Sequence, residues 1–116
     1  KEIIYLERIE EQVEAMEGIP FSGIVEFLGR IDRWGAMARM HARRFIAGDI
    51  KRIFGAISYF PSRCESIIDR RDPVFFKRMT PFIEMGNSAV LLGTGHMPGI
   101  LRRLEEAGWS VRPVNR

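Results

Sequence analysis

Apolar residues recur at helical spacing along most of this chain, and glycine and proline mark the gaps between the recurrences. Over residues 7–16, Ile9, Val13 and Met16 stand at i, i+4 and i+7 with glutamates between them, which predicts a helix with an inward apolar stripe. Gly18 and Pro20 end it. Ser22 suits the N-cap of a second helix, with Ile24, Phe27, Leu28 and Ile31 on one face and a break expected at Gly35. A weaker helical pattern follows over residues 36–46, with Met37 and Met40 on one side and Arg39, Arg43 and Arg44 around the rest. Asp49 can cap the next stretch, where Ile50, Ile53, Phe54 and Ile57 form the clearest amphipathic stripe before Pro61 closes it. Residues 62–69 predict a short helix and residues 73–85 a longer one. The longer one has Pro73 in its first turn, Phe75, Phe76, Met79 and Phe82 on its buried side, and Gly86-Asn87 as its stop.

Three segments depart from that period. Ile3, Ile4, Tyr5 and Leu6 read as a short strand, and residues 88–92 form an uncharged run of small and apolar side chains, as expected of a strand covered on both faces. A helix over residues 97–107, with Ile100, Leu101 and Leu104 inward and Gly108 as its terminal glycine, then leads to a third strand over 109–114. The last two strands and their helix make a βαβ unit with a right-handed crossover. The expected fold is therefore α/β, helix-rich, with a small sheet and a C-terminal βαβ unit.

Composition narrows the function classes. At 116 residues and 13.4 kDa the chain is one domain, and 46% hydrophobic with 28% charged residues is the balance of a globular protein. No apolar run approaches the ~20 residues of a membrane-spanning helix. Cys64 is the single cysteine, so neither an internal disulfide nor a thiolate zinc cage can form. The net charge of +3 is uneven: residues 1–17 carry a balance of −4 and the remainder +7. The basic residues are scattered among acidic ones without a nucleic-acid-binding signature, so no nucleic-acid partner is expected. The chain enters its first strand directly from Lys1, which reads as part of a longer protein; compartment and membrane association stay open.

Candidate chemistry collects in the turn Gly93-Thr94-Gly95-His96-Met97-Pro98-Gly99. It follows a predicted strand and opens a helix, the place where α/β proteins bind ligands. His96 would sit near the helix N-terminus, with the backbone N–H groups of Gly93, Thr94 and Gly95 available to an oxyanion. The spacing is G-x-G-x-x-x-G, not the dinucleotide fingerprint. The plain structural reading is a tight connection whose histidine caps the helix or bonds a nearby carbonyl. His41, the only other histidine, lies among arginines, so histidine alone cannot build a metal site here.

Taken in order, Tyr5-Leu6-Glu7 through Glu11-Gln12, Gly48-Asp49, Arg71-Asp72 through Met79, and the G-x-G-H-x-P-G turn running into Leu104 and Gly108-Trp109 resemble the C-terminal half of a TraB/GumN domain, a group that includes the Tiki proteases. That resemblance implies a larger domain in which a second G-x-x-H motif lies upstream. The missing N-terminal half, or a second copy of this chain, would then complete the sheet. It also implies metal-assisted hydrolysis of peptide or ester bonds once the rest is present. A divalent metal ion would be held by His96 and Glu7, His96 or Glu7 would act as acid or base, and Arg71 would support the oxyanion. The alternative is a non-catalytic binding or interaction module, including haem binding or association with polysaccharide-cluster proteins. Read without the resemblance, Glu7 complements a helix dipole, Gln12 is a helix-surface residue, and Arg71 forms a surface ion pair with Asp69 or Asp72. Asp72 departs from the asparagine more usual in the group and adds a charge beside Arg71.

Overall fold

The computed structural model describes residues 2–49, 52, 61, 63–112 and 114. Among these residues lie five α-helices: α1 (Ile9–Glu17), α2 (Phe21–Leu28), α3 (Trp34–Ile46), α4 (Asp72–Glu84) and α5 (Met97–Glu106). Single 3-10 turns at Ile31–Arg33 and Thr94–His96 lead into α3 and α5. The amphipathic stripe at Ile50, Ile53, Phe54 and Ile57 lies outside the described residues.

Local chemistry sets the helix ends. At the start of α1 the Glu11 carboxylate accepts the Arg8 N–H at 2.8 Å, satisfying a donor that has no partner inside the helix. The chain bends after α2 at Gly29, and not at Gly35, which is the second residue of α3. The indole N–H of Trp34 donates to the Phe27 carbonyl at 3.1 Å, and the two rings stack 4.4 Å apart, which clamps α2 to the head of α3. α4 ends before Gly86 (φ 76°) and Asn87 (φ 55°), both in the left-handed region that stops a helix. Between residues 63 and 71 the expected short helix is replaced by a run of turns, with the N–H of Ile68 donating to Cys64 and that of Asp72 to Ile68, each at 3.0 Å. The Ile67 carbonyl there accepts from Arg71 Nη1 at 3.0 Å.

No strand forms among the described residues, so the α/β fold with a small sheet and a C-terminal βαβ unit is not the fold observed; the described chain is helical. Residues 3–6, 88–92 and 109–112 are non-helical, but none lies in a ladder with another. Strand-like composition describes a side-chain surface that suits a sheet, and it becomes a strand only where a neighbour accepts its backbone bonds. The N–H of Trp109 is instead given to the Leu104 carbonyl at 2.9 Å, closing α5. Leu6 and Leu92 turn into the helical core, while Ile3, Tyr5 and Leu91 stay 80%, 82% and 89% exposed.

The core itself is small: Phe75 and Met79 of α4 against Ile100 of α5, flanked by Leu6, Phe76, Ile83, Leu92 and Leu104. The expected inward stripe of α1 is also reversed. Ile9, Val13 and Met16 are exposed, and α1 buries Ala15. Glu11 lies on the inward side of α1, where its carboxylate accepts from Arg78 of α4, and the apolar stripe lies on the other side. Leu28 and Ile31 are likewise exposed. This uncovered apolar surface accompanies a radius of gyration of 15.9 Å, above the ~13 Å of a compact domain of about this size.

Core truncation should separate the two kinds of apolar position. Ile100→Ala is expected to lower the free energy of unfolding by ~2–4 kcal/mol in a urea titration, whereas Val13→Ala on the exposed face should change it by less than ~0.5 kcal/mol.

Candidate functional site

The N-terminal ends of α4 and α5 meet, and each brings a polar side chain into the contact. Asp72, the first residue of α4, and His96, which precedes α5, are 3% and 7% exposed. His96 Nδ1 lies 2.7 Å from Asp72 Oδ1. A carboxylate only accepts, so Nδ1 carries a proton, and in the neutral form of the ring the lone pair is on Nε2. Phe75, one helical turn beyond Asp72, meets the imidazole edge-to-face with centroids 5.0 Å apart. His96 therefore neither caps α5 nor bonds a neighbouring carbonyl through its side chain.

Among the described residues Nε2 has no hydrogen-bond partner. Gly93 is exposed, and a Cβ built there would lie 3.7 Å from His96 Cδ2, the carbon bonded to Nε2. The Cδ2 side of the ring thus lies beside Gly93. The N–H groups of Thr94 and Gly95 begin the 3-10 turn and have no acceptor inside it. Arg63 Nη1 donates to the Gly95 carbonyl at 2.7 Å and fixes the turn from behind.

Arg71 pairs with Glu7, and not with Asp69 or Asp72. Its Nε donates to Glu7 Oε2 at 3.0 Å and its Nη2 to Glu7 Oε1, a bidentate fork with both side chains largely buried. The guanidinium also sits 5.0 Å over the Phe75 ring. Glu7 and His96 are consequently linked through Arg71 and Phe75 and share no direct bond. A pocket of about 250 Å³ opens beside this pair, lined in part by Glu7, Glu11, Ala15, Ser66, Arg71 and Phe75. Gln12 is exposed on α1.

A second fork lies farther along α4. Arg78 donates through Nη1 and Nη2 to the two Glu11 oxygens, each at 2.7 Å, and through Nη1 to the Leu6 carbonyl at 2.8 Å. The Arg78 hydrogen bond, with the Arg8 N–H behind it, holds the Glu11 carboxyl at about 2, and Glu11 in turn raises Arg78.

Sequence reasoning singled out His96, Arg71 and Glu7 but gave Asp72 only the part of a neighbour to Arg71, and Gly99 no part of its own. The available signal was an acidic residue at the mouth of a proline-started helix, together with a glycine three residues after the histidine. The Glu11–Arg78 fork carried no such signal.

The residues do not fit a resident metal ion on their own. Among the described residues no three His, Cys, Asp or Glu side chains group closely enough to hold one, and both Glu7 oxygens are occupied by Arg71.

Residues 1–113 match the TraB/PrgY/gumN family, and the chain belongs to that family. No curated protein and no solved structure matches it.

The Glu11 fork makes stability depend on acid. Its folded value of about 2 lies below the ordinary 4.5, so its contribution is complete above pH 4.5 and is lost as pH falls toward about 2. Urea midpoints across that window should fall more steeply for the wild type than for Glu11→Gln, which has no carboxylate to protonate.

Proposed function

We propose that this chain supplies the proton-transfer group of a hydrolytic centre acting on ester or amide bonds. The observation that carries the reading is the 2.7 Å bond between buried Asp72 and His96 Nδ1, which leaves Nε2 as the nitrogen that can act as a base, on a ring whose Cδ2 lies beside Gly93. In this scheme Nε2 accepts a proton from a water molecule as that water adds to the carbonyl carbon. In the same scheme the N–H groups of Gly93, Thr94 and Gly95 would hold the oxyanion. As the tetrahedral species collapses, the same proton passes from Nε2 to the departing alcohol or amine, so the acid product and the leaving group together account for one water. Asp72 is a positioning residue that favours the imidazolium between the two steps.

Glu7 and Arg71 line the pocket on the Phe75 side, with Arg71 held over Phe75 by its carboxylate partner. That mutual saturation favours a second reading, a non-catalytic binding module, in which the Glu7–Arg71 fork is structural. In either reading a further segment or a second copy covers the exposed apolar residues of 3–5 and 90–91, which supports a larger assembled unit.

The test is turnover of a p-nitrophenyl ester and of a labelled peptide by the full-length protein. His96→Ala is expected to lower kcat/KM by ~100-fold or more while the helical circular dichroism is retained. Unchanged turnover would leave the binding module as the reading.

A further inference from the structure

The approach of α5 to α4 at Asp72 is closer than any residue but glycine permits. A Cβ at Gly99 would lie 1.8 Å from Asp72 Oδ2 and 2.8 Å from its Cγ, distances that no side-chain carbon occupies. The next nearest atom, Asp72 Cβ, would be 3.5 Å away, which is ordinary van der Waals contact. The obstruction is thus the carboxylate group itself, and Asp72 has little room to retreat. It is 3% exposed, it begins a helix with Pro73 behind it, and its Oδ1 is bonded to His96.

We infer that Gly99 is a positioning residue for His96: the absent side chain at position 99 leaves the space that lets the Asp72 carboxylate reach Nδ1, and so determines which ring nitrogen is left with a lone pair. Position 99 lies one turn along α5 from His96, so the helix that carries the histidine also carries the space for its partner. An alanine there pushes the carboxylate off the helix end and frees the imidazole to adopt either tautomer. The catalytic meaning of this rests on the reading of His96 as the proton carrier, while the contact itself does not.

The experiment is nitrogen-15 NMR of histidine-labelled protein at alkaline pH, where the protonated ring nitrogen is read directly, with His41→Gln used to assign the His96 signals. The wild type should show His96 wholly as the Nδ1–H tautomer. Gly99→Ala and Asp72→Ala should each give a mixture of both tautomers. Because the clash is with Oδ2 and Cγ alone, the Asp72→Ala/Gly99→Ala double variant should match Asp72→Ala in tautomer ratio and melt no lower, since alanine also favours the helix over glycine. If Gly99→Ala fails to fold, recovery of helical circular dichroism in the double variant supports the inference equally. A Gly99→Ala protein that keeps the Nδ1–H tautomer, or a double variant more damaged than Asp72→Ala, would overturn it. Since none of these signals depends on turnover, failure of the hydrolytic reading in the ester assay is distinguishable from failure here.

Discussion

The hydrogen bond between Asp72 and His96 is the contact that the α4–α5 arrangement must accommodate. A carboxylate withdrawn from water is costly unless it is paired, and at the first turn of α4 it has two compensations, the helix N-terminus and the imidazole N–H. The second is available only if the start of α5 lies directly against the start of α4. The apolar contacts of Phe75, Met79 and Ile100 hold the helices together along their length, while the polar pair settles how their ends align. Phe75 belongs to both sets, being a core residue whose ring also meets the edge of the imidazole.

Around this centre, two ion-pair forks fasten the N-terminal segment. Arg71 and Arg78 are seven positions apart and Glu7 and Glu11 four apart, so the pairs form two rungs, one from the segment leading into α1 and one from the first turn of α1, to the start and the middle of α4. The lower rung is the more enclosed and stands over Phe75; the upper also takes the Leu6 carbonyl and draws Leu6 toward the core. These contacts lie on one side of α1, and its apolar stripe of Ile9, Val13 and Met16 is exposed.

Helices were legible where their boundaries have local causes. Residues 73–85 and 97–107 sit nearly on α4 and α5, because Pro73, Gly86-Asn87 and Gly108 act within a turn of themselves. The strands were not, because Ile3 to Leu6 and Ser88 to Leu92 carry the right side chains but a ladder needs a neighbour that composition does not reveal. The α1 stripe failed for a related reason: periodicity identifies an apolar face but not what it packs against, and the inward side of α1 carries the Glu11–Arg78 fork, a contact spanning 67 positions. The Gly93–His96 turn was visible as a candidate site, and Arg71 and Glu7 were singled out as members of the same region. Asp72 was noticed only as a charge beside Arg71, since nothing in adjacent positions shows that a residue 24 places from His96 will meet its ring.

A crystal structure of the protein would test the account most directly, through the orientation of one ring. The Asp72 carboxylate should lie within hydrogen-bonding distance of His96 Nδ1, with its other oxygen against the Cα of Gly99 and the Cδ2 side of the ring beside Gly93. An Asp72 side chain turned out toward Arg71, or an imidazole presenting Nε2 to it, would contradict the account.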